Sequence, residues 1–318
     1  MPPAKSQSPP RTPPRRNPSP APPEVVDPVW LLKALGVCFA AALLCGYATL
    51  CLLVYQGAWQ LILHPSRVVT ATPAQAGIDY SDVRFDAAET GQPRLTGWWI
   101  PAASNSGFQP RYAAFTVLYL HDGTGSLANT VPALARLHAA GLNVFAFDYR
   151  SFGASDASAH PSQQRMAEDA DAALRYLTAT RHIPAGDLVP YGVGLGASLA
   201  AGLAATHPGL PVVILDNPIA DPASIAVAAH PSHIVPVRLL FGRQFDIATS
   251  LATLKTPKLL IAGGINASAE TGSPDSLENT LFRHAASPSM SVTLPRVGDA
   301  AVYQAALSRF LDQYLAVR

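Results

Sequence analysis

Tyr191-Gly192-Val193-Gly194-Leu195-Gly196-Ala197-Ser198 is the stretch whose reading decides the fold. Glycine recurs at every second position, between an apolar run that reads as a strand, Asp187 to Gly192, and a small-residue helical stretch, Leu195 to Thr206. The junction reads as a tight strand-to-helix elbow with its central residue at positive φ. That backbone costs an ordinary residue on the order of 1–3 kcal/mol and glycine very little. Gly194 is the central residue.

On either side of the elbow, apolar runs rich in β-branched and aromatic residues alternate with helical stretches. Strands are predicted at Phe115–Leu120, Asn143–Asp148, Pro211–Asp216, Lys258–Gly263 and Ser291–Leu294. An earlier pair, Asp82–Asp86 and Arg94–Pro101, is separated by the turn-forming Glu89-Thr90-Gly91-Gln92-Pro93. Helices are predicted at Leu127–Ala140, Gln163–Thr178 and Ala300–Val317; in the second, Met166, Ala170, Ala173, Leu174 and Leu177 share one face, a core-packing stripe. This alternation implies an α/β fold with a mainly parallel central sheet flanked by helices. No large insertion follows Asp216, so no large lid is expected.

Several segments carry a resemblance in the right order. Val-Leu-Tyr-Leu-His-Asp-Gly-Thr-Gly-Ser-Leu-Ala-Asn, Val117 to Asn129, resembles the strand and loop bearing the H-G-x oxyanion motif of the α/β-hydrolase superfamily. Phe145 to Asp156, F-A-F-D-Y-R-S-F-G-A-S-D, is similar to the F-D-Y-R-G-x-G-x-S signature of its serine-aminopeptidase-like and prolyl-oligopeptidase-like branch. Ile214 to Ile219 resembles the E-S-P-F that follows the next strand, and Tyr55 to Pro65 is similar to the segment after the helix of membrane-anchored members. The elbow itself resembles G-x-S-x-G, the turn that presents a nucleophilic serine.

What the resemblance implies for the site is a series of losses. Gly194 stands where the family has its serine, Asn266 where it has the acid, and Asp299 where it has the histidine. Glycine offers no hydroxyl, an amide carries no charge to stabilise an imidazolium, and an ordinary carboxylate is a poor proton shuttle at neutral pH. Removing the serine or histidine alone costs a serine protease roughly a million-fold in kcat. Ser198, one helical turn beyond the elbow, reads as a packing residue; Asp216 or Asp221 is a fallback acid that reads more simply as a turn carboxylate and helix cap.

His121-Asp122-Gly123 replaces H-G-x, placing a carboxylate where negative charge would develop. The backbone N–H groups of Gly123 and Leu195 are the vestigial oxyanion hole, able to hold a water or a weak anion. His121 and Asp122 are candidate cleft-binding residues, although the family's histidine here is structural. Together with Asp299 and Asn266 they could supply oxygen and nitrogen atoms to a metal, but no ligand spacing supports one, and no cofactor is expected.

The chain of 318 residues begins with a proline-rich basic segment, residues 1–29, expected to be disordered and cytoplasmic. Residues 30–55 are almost continuously apolar, with Lys33 as their one charge, and are long enough for a transmembrane helix. Trp30, Tyr55 and Trp59 suit its interfaces. The basic segment should stay in the cytoplasm, making this a single-pass signal anchor in the lipid bilayer with residues 56–318 as a periplasmic or otherwise extracytoplasmic α/β-hydrolase domain. A cleaved signal peptide, cut after Gly46-Tyr47-Ala48, is the competing reading. Cys38, Cys45 and Cys51 all fall in the apolar segment, so the outer domain has no cysteine for disulfides.

A net charge of +1 and the absence of a basic cluster in the body of the chain argue against a nucleic-acid partner. Two functions follow. The first is a pseudoenzyme that binds a small ligand in the old cleft or an envelope protein partner. The second is an active serine hydrolase of esters, thioesters or peptides that uses displaced residues.

Overall fold

The computed structural model describes residues 27–86, 94–103, 111–157, 160–229, 234–263, 278–294 and 300–315. Most of the predicted N-terminal segment, the turn at Glu89–Pro93, Asn266 and Asp299 lie outside the described residues. Chain contacts separate two compact units that meet between Thr49 and Leu50.

The elements follow one another as α1 Pro28–Gly57, β1 His64–Pro65, β2 Ser81–Phe85, β3 Leu95–Ile100, β4 Thr116–Leu120, β5 Thr124–Gly125, α2 Val131–Ala139, β6 Asn143–Asp148, α3 Gln163–Arg175, β7 Leu188–Val193 and α4 Gly196–Thr206. The chain continues through β8 Val213–Asp216, α5 Pro222–Ala229, α6 Val237–Phe241, α7 Ile247–Thr253, β9 Lys258–Ala262, α8 Glu278–His284, β10 Ser289–Thr293 and α9 Ala300–Tyr314.

Helix α1 runs on through a 3₁₀ turn, Ala58–Leu61, as an apolar span of 34 residues with mean hydropathy 2.4 in its most apolar window. It is long and apolar enough to cross a bilayer.

Eight strands form the main sheet in the order β10-β9-β8-β7-β4-β6-β3-β2. All neighbours are parallel except β2–β3 and β3–β6, so the sheet is mainly parallel with one antiparallel margin. The central strands β4, β7, β8 and β9 are buried at every position, as expected when helices cover both faces. The pleat sorts their side chains: Leu118 and Leu120 enter the core with α3 and α4, whereas Val117 and Tyr119 join α2 and α9 on the opposite face.

The sequence expectation for the sheet and its large helices is borne out. Strand β10 begins at Ser289 rather than Ser291. The stretch between β8 and β9, where the sequence marks a helix only through the cap residue Asp221, folds as α5, α6 and α7. Helix α5, Pro-Ala-Ser-Ile-Ala-Val-Ala-Ala, is apolar on every side, so no 3.6-residue pattern marks it.

Candidate functional site

Strands β4 and β7 are neighbours in the sheet, with Leu120 opposite Gly192, so the loops leaving their C-terminal ends meet. The glycines of the elbow allow the close approach. A Cβ at Gly192 would strike the carbonyl of Gly196, and one at Gly196 would strike the carbonyls of Leu120 and His121. Gly194 has φ +57°, the backbone expected of the elbow's central residue.

Asp122 fills the space this creates. Its Oδ1 accepts hydrogen bonds from Gly123 N–H at 2.7 Å and from Leu195 N–H at 3.0 Å, so one carboxylate oxygen holds both donors that the resemblance assigns to an oxyanion hole. A Cβ built on Gly194 would lie 2.6 Å from Asp122 Cγ and 2.6 Å from Oδ1. Burial raises the Asp122 carboxyl pKa above its ordinary value, against the opposing pull of the Leu195 and Gly123 N–H groups and the Thr124 hydroxyl. A negative charge here is therefore costly but well held.

His121 turns the other way. Its ring, 1% exposed, sits 4.5 Å from the Tyr149 ring centre and 5.3 Å from that of Phe152. Nδ1 lies 2.6 Å from the Asp122 carbonyl oxygen, which can only accept, so the proton sits on Nδ1. Burial pushes its pKa down to about 4, keeping the ring neutral. Nε2 is 3.8 Å from Asp148 Oδ1 and has no hydrogen-bond partner among the described residues.

The fallback acids are engaged elsewhere. Asp216 Oδ2 accepts from the Tyr191 hydroxyl at 2.6 Å, its Oδ1 accepts from Asn217 at 2.8 Å, and Tyr191 in turn lies 3.0 Å from the Tyr303 hydroxyl. Asp221 accepts from the backbone N–H and through its carbonyl from the hydroxyl of Ser224, and pairs with Arg238 at 2.8 Å. The Ser198 hydroxyl donates to the Leu195 carbonyl at 2.7 Å, a back-bond within its own helix.

One contributor had no sequence signal beyond the resemblance of its segment. After the 3₁₀ turn, Ile62 and Leu63 lie over the loop that follows β4, and a Cβ on Gly123 would meet Leu63 Cδ2 at 2.5 Å and Leu195 Cδ1 at 2.9 Å. The strap is tied down by parallel pairing of β1 with β5 and by His64 N–H donating to the Gly123 carbonyl at 2.8 Å. Leu63 is 2% exposed. Among the described residues no group of three or more His, Cys, Asp or Glu side chains is placed to hold a metal.

Comparison with known proteins adds the family. A family model described as serine aminopeptidase, S33, matches residues 113–288. The uncharacterized protein Rv2307c of Mycobacterium tuberculosis is 31% identical over 227 residues, covering 69% of this chain and 75% of that protein. The uncharacterized protein YfhR of Salmonella typhimurium is 27% identical over 274 residues, covering 80% of this chain and 87% of its own. Among solved structures, an esterase of Pyrococcus furiosus superposes with a TM-score of 0.58 at 21% identity, over 80% of this chain and 99% of its own, a likeness of fold.

Proposed function

Because this chain belongs to the serine aminopeptidase (S33) family of α/β-hydrolases, we propose that it is a catalytically silent member that works by binding or scaffolding at a membrane. In this reading residues 30–55 anchor it in a lipid bilayer, the basic N-terminal segment is cytoplasmic, and the domain faces the periplasm or another extracytoplasmic space. Its partner is an envelope protein or a small ligand.

The observation that carries the reading is the Asp122 carboxylate, held by the Gly123 and Leu195 N–H groups and standing against Gly194. Acyl transfer needs those two donors free to meet a developing oxyanion. Here they are taken by a fixed anion of the chain itself, at the position where a hydroxyl would attack. The change at the elbow and the change in the loop are thus complementary: glycine leaves the room, and aspartate uses it.

The test is a fluorophosphonate probe on the detergent-solubilised full chain. No serine should be labelled, whereas stoichiometric labelling of any serine would establish the hydrolase reading instead. Restoring Gly194→Ser, Asn266→Asp and Asp299→His together with Asp122→Gly should produce labelling at residue 194, and Gly194→Ser alone should not.

A further inference from the structure

Outside α1, the exposed large apolar side chains among the described residues are Val68, Val69, Ile225, Val227, Ile234 and Leu239. Their distribution is one-sided. Val68 and Val69 follow β1, which pairs with the loop leaving β4, and the other four lie in the segment leaving β8. Helices α5 and α6, which carry Ile225, Val227 and Leu239, pack against the turn Ala58–Leu61 that leads to β1, the strand paired with the loop after β4.

Helix α5 shows the same thing at close range. Pro222, Ala223 and Ala226 face the core, while Ile225 at 37% and Val227 at 41% exposure point outward. Helix α6 buries Val237 and Phe241 and leaves Leu239 at 78% exposure. Beside the exposed Ser224 and Arg238, the outward sides of both helices thus carry large apolar side chains, and a contiguous apolar patch of this kind marks a surface that meets something other than water.

What covers this surface follows from the chain's path. The 3₁₀ turn Ala58–Leu61 continues directly from α1 and packs against both α5 and α6. The patch is therefore next to the point at which the apolar span ends. Among the described residues its cations, Arg238 and Arg243, are matched by Asp221 at 2.8 Å and Asp246 at 2.5 Å, so the described surface carries no unmatched positive charge.

We infer that the α5–α6 face, with Ile225, Val227, Ile234 and Leu239, lies in the interfacial layer of the bilayer that holds α1. This rests on the membrane-anchor reading above. Contact is apolar and independent of anionic lipid, and it turns the loop edge of the sheet toward the membrane.

The experiment uses the full chain in nanodiscs of phosphatidylcholine carrying a diazirine on the acyl chain, with photo-adducts mapped by mass spectrometry. Adducts are expected in α1 and in the segment from Ile225 to Leu239, but not around Ala205 at the far end of α4. Ile225→Ser with Leu239→Ser should reduce the second set about tenfold, the change that 1.4 kcal/mol of lost partitioning produces. Adding phosphatidylglycerol should not alter it.

Adducts confined to α1 would overturn the surface contact and leave the anchor standing. Adducts in neither would overturn both, and labelling that requires phosphatidylglycerol or that covers Ala205 equally would overturn the apolar, one-sided contact.

Discussion

The carboxylate of Asp122 occupies the volume that any side chain on Gly194 would enter, with Cγ and Oδ1 both 2.6 Å from the position of the missing Cβ. The bare backbone at Gly194 and the acid at Asp122 are complementary features of two loops. No side chain fits at residue 194 while the carboxylate stays where it is.

Gly194→Ser should therefore destabilise the domain by about 1–3 kcal/mol through its positive φ, and by more through the displaced carboxylate. Combined with Asp122→Gly, the second penalty disappears, giving a coupling energy of about 0.5–3 kcal/mol in a double-mutant cycle read by thermal denaturation. Strict additivity would show that Asp122 moves aside freely.

Asp122→Asn keeps an oxygen for the two N–H donors and removes the buried charge. Burial raises the Asp122 pKa, so the folded state holds its proton more tightly than the unfolded chain. The burial penalty is then absent below the unfolded pKa near 4 and develops as pH rises through the folded value. The variant should melt higher than the parent at pH 7 and converge with it on acidification. Asp122→Ala, which strands both donors, should instead cost about 1–3 kcal/mol.

Tyr191→Phe removes one hydroxyl that serves both Asp216 and Tyr303. With Asp216 only 1% exposed, the loss should cost about 1–3 kcal/mol in denaturant unfolding. A neutral outcome would mean that the carboxylate finds another donor.

Leu63→Ala opens a space over Gly123 and should cost about 2–5 kcal/mol, whereas Val68→Ala, five residues on and 64% exposed, should change stability by no more than about 0.5 kcal/mol. Comparable effects at the two positions would argue that the strap does not pack on the loop as described.

On the proposed topology, with the basic N-terminal segment in the cytoplasm, an export-dependent reporter fused after Arg318 should be active. Activity of a cytoplasm-specific reporter at the same fusion point would reverse the orientation.

The parts of the fold that were legible were those with a local period. Alternating strand and helix patterns located the sheet and its large covering helices, and Gly192, Gly194 and Gly196 marked the elbow. The short helices after β8 were not legible, since α5 has no polar face to set a period. At the site, the sequence placed a carboxylate beside the oxyanion loop and expected the two N–H donors to hold a water or a weak anion. In the structure both donors meet the Asp122 carboxylate, a pairing between loops that no local pattern marks.

By itself, then, the sequence determined the α/β architecture, the apolar N-terminal span and the absence of a hydroxyl at the elbow, because each is written in contiguous residues. Only the tertiary structure decided what fills the space beside Gly194 and what seals it. Asp122 and the N–H of Leu195 are 73 residues apart, and Leu63 reaches the loop from beyond α1. Contacts of that separation arise from the side-by-side pairing of β4 with β7 and of β1 with β5, and no local pattern encodes them.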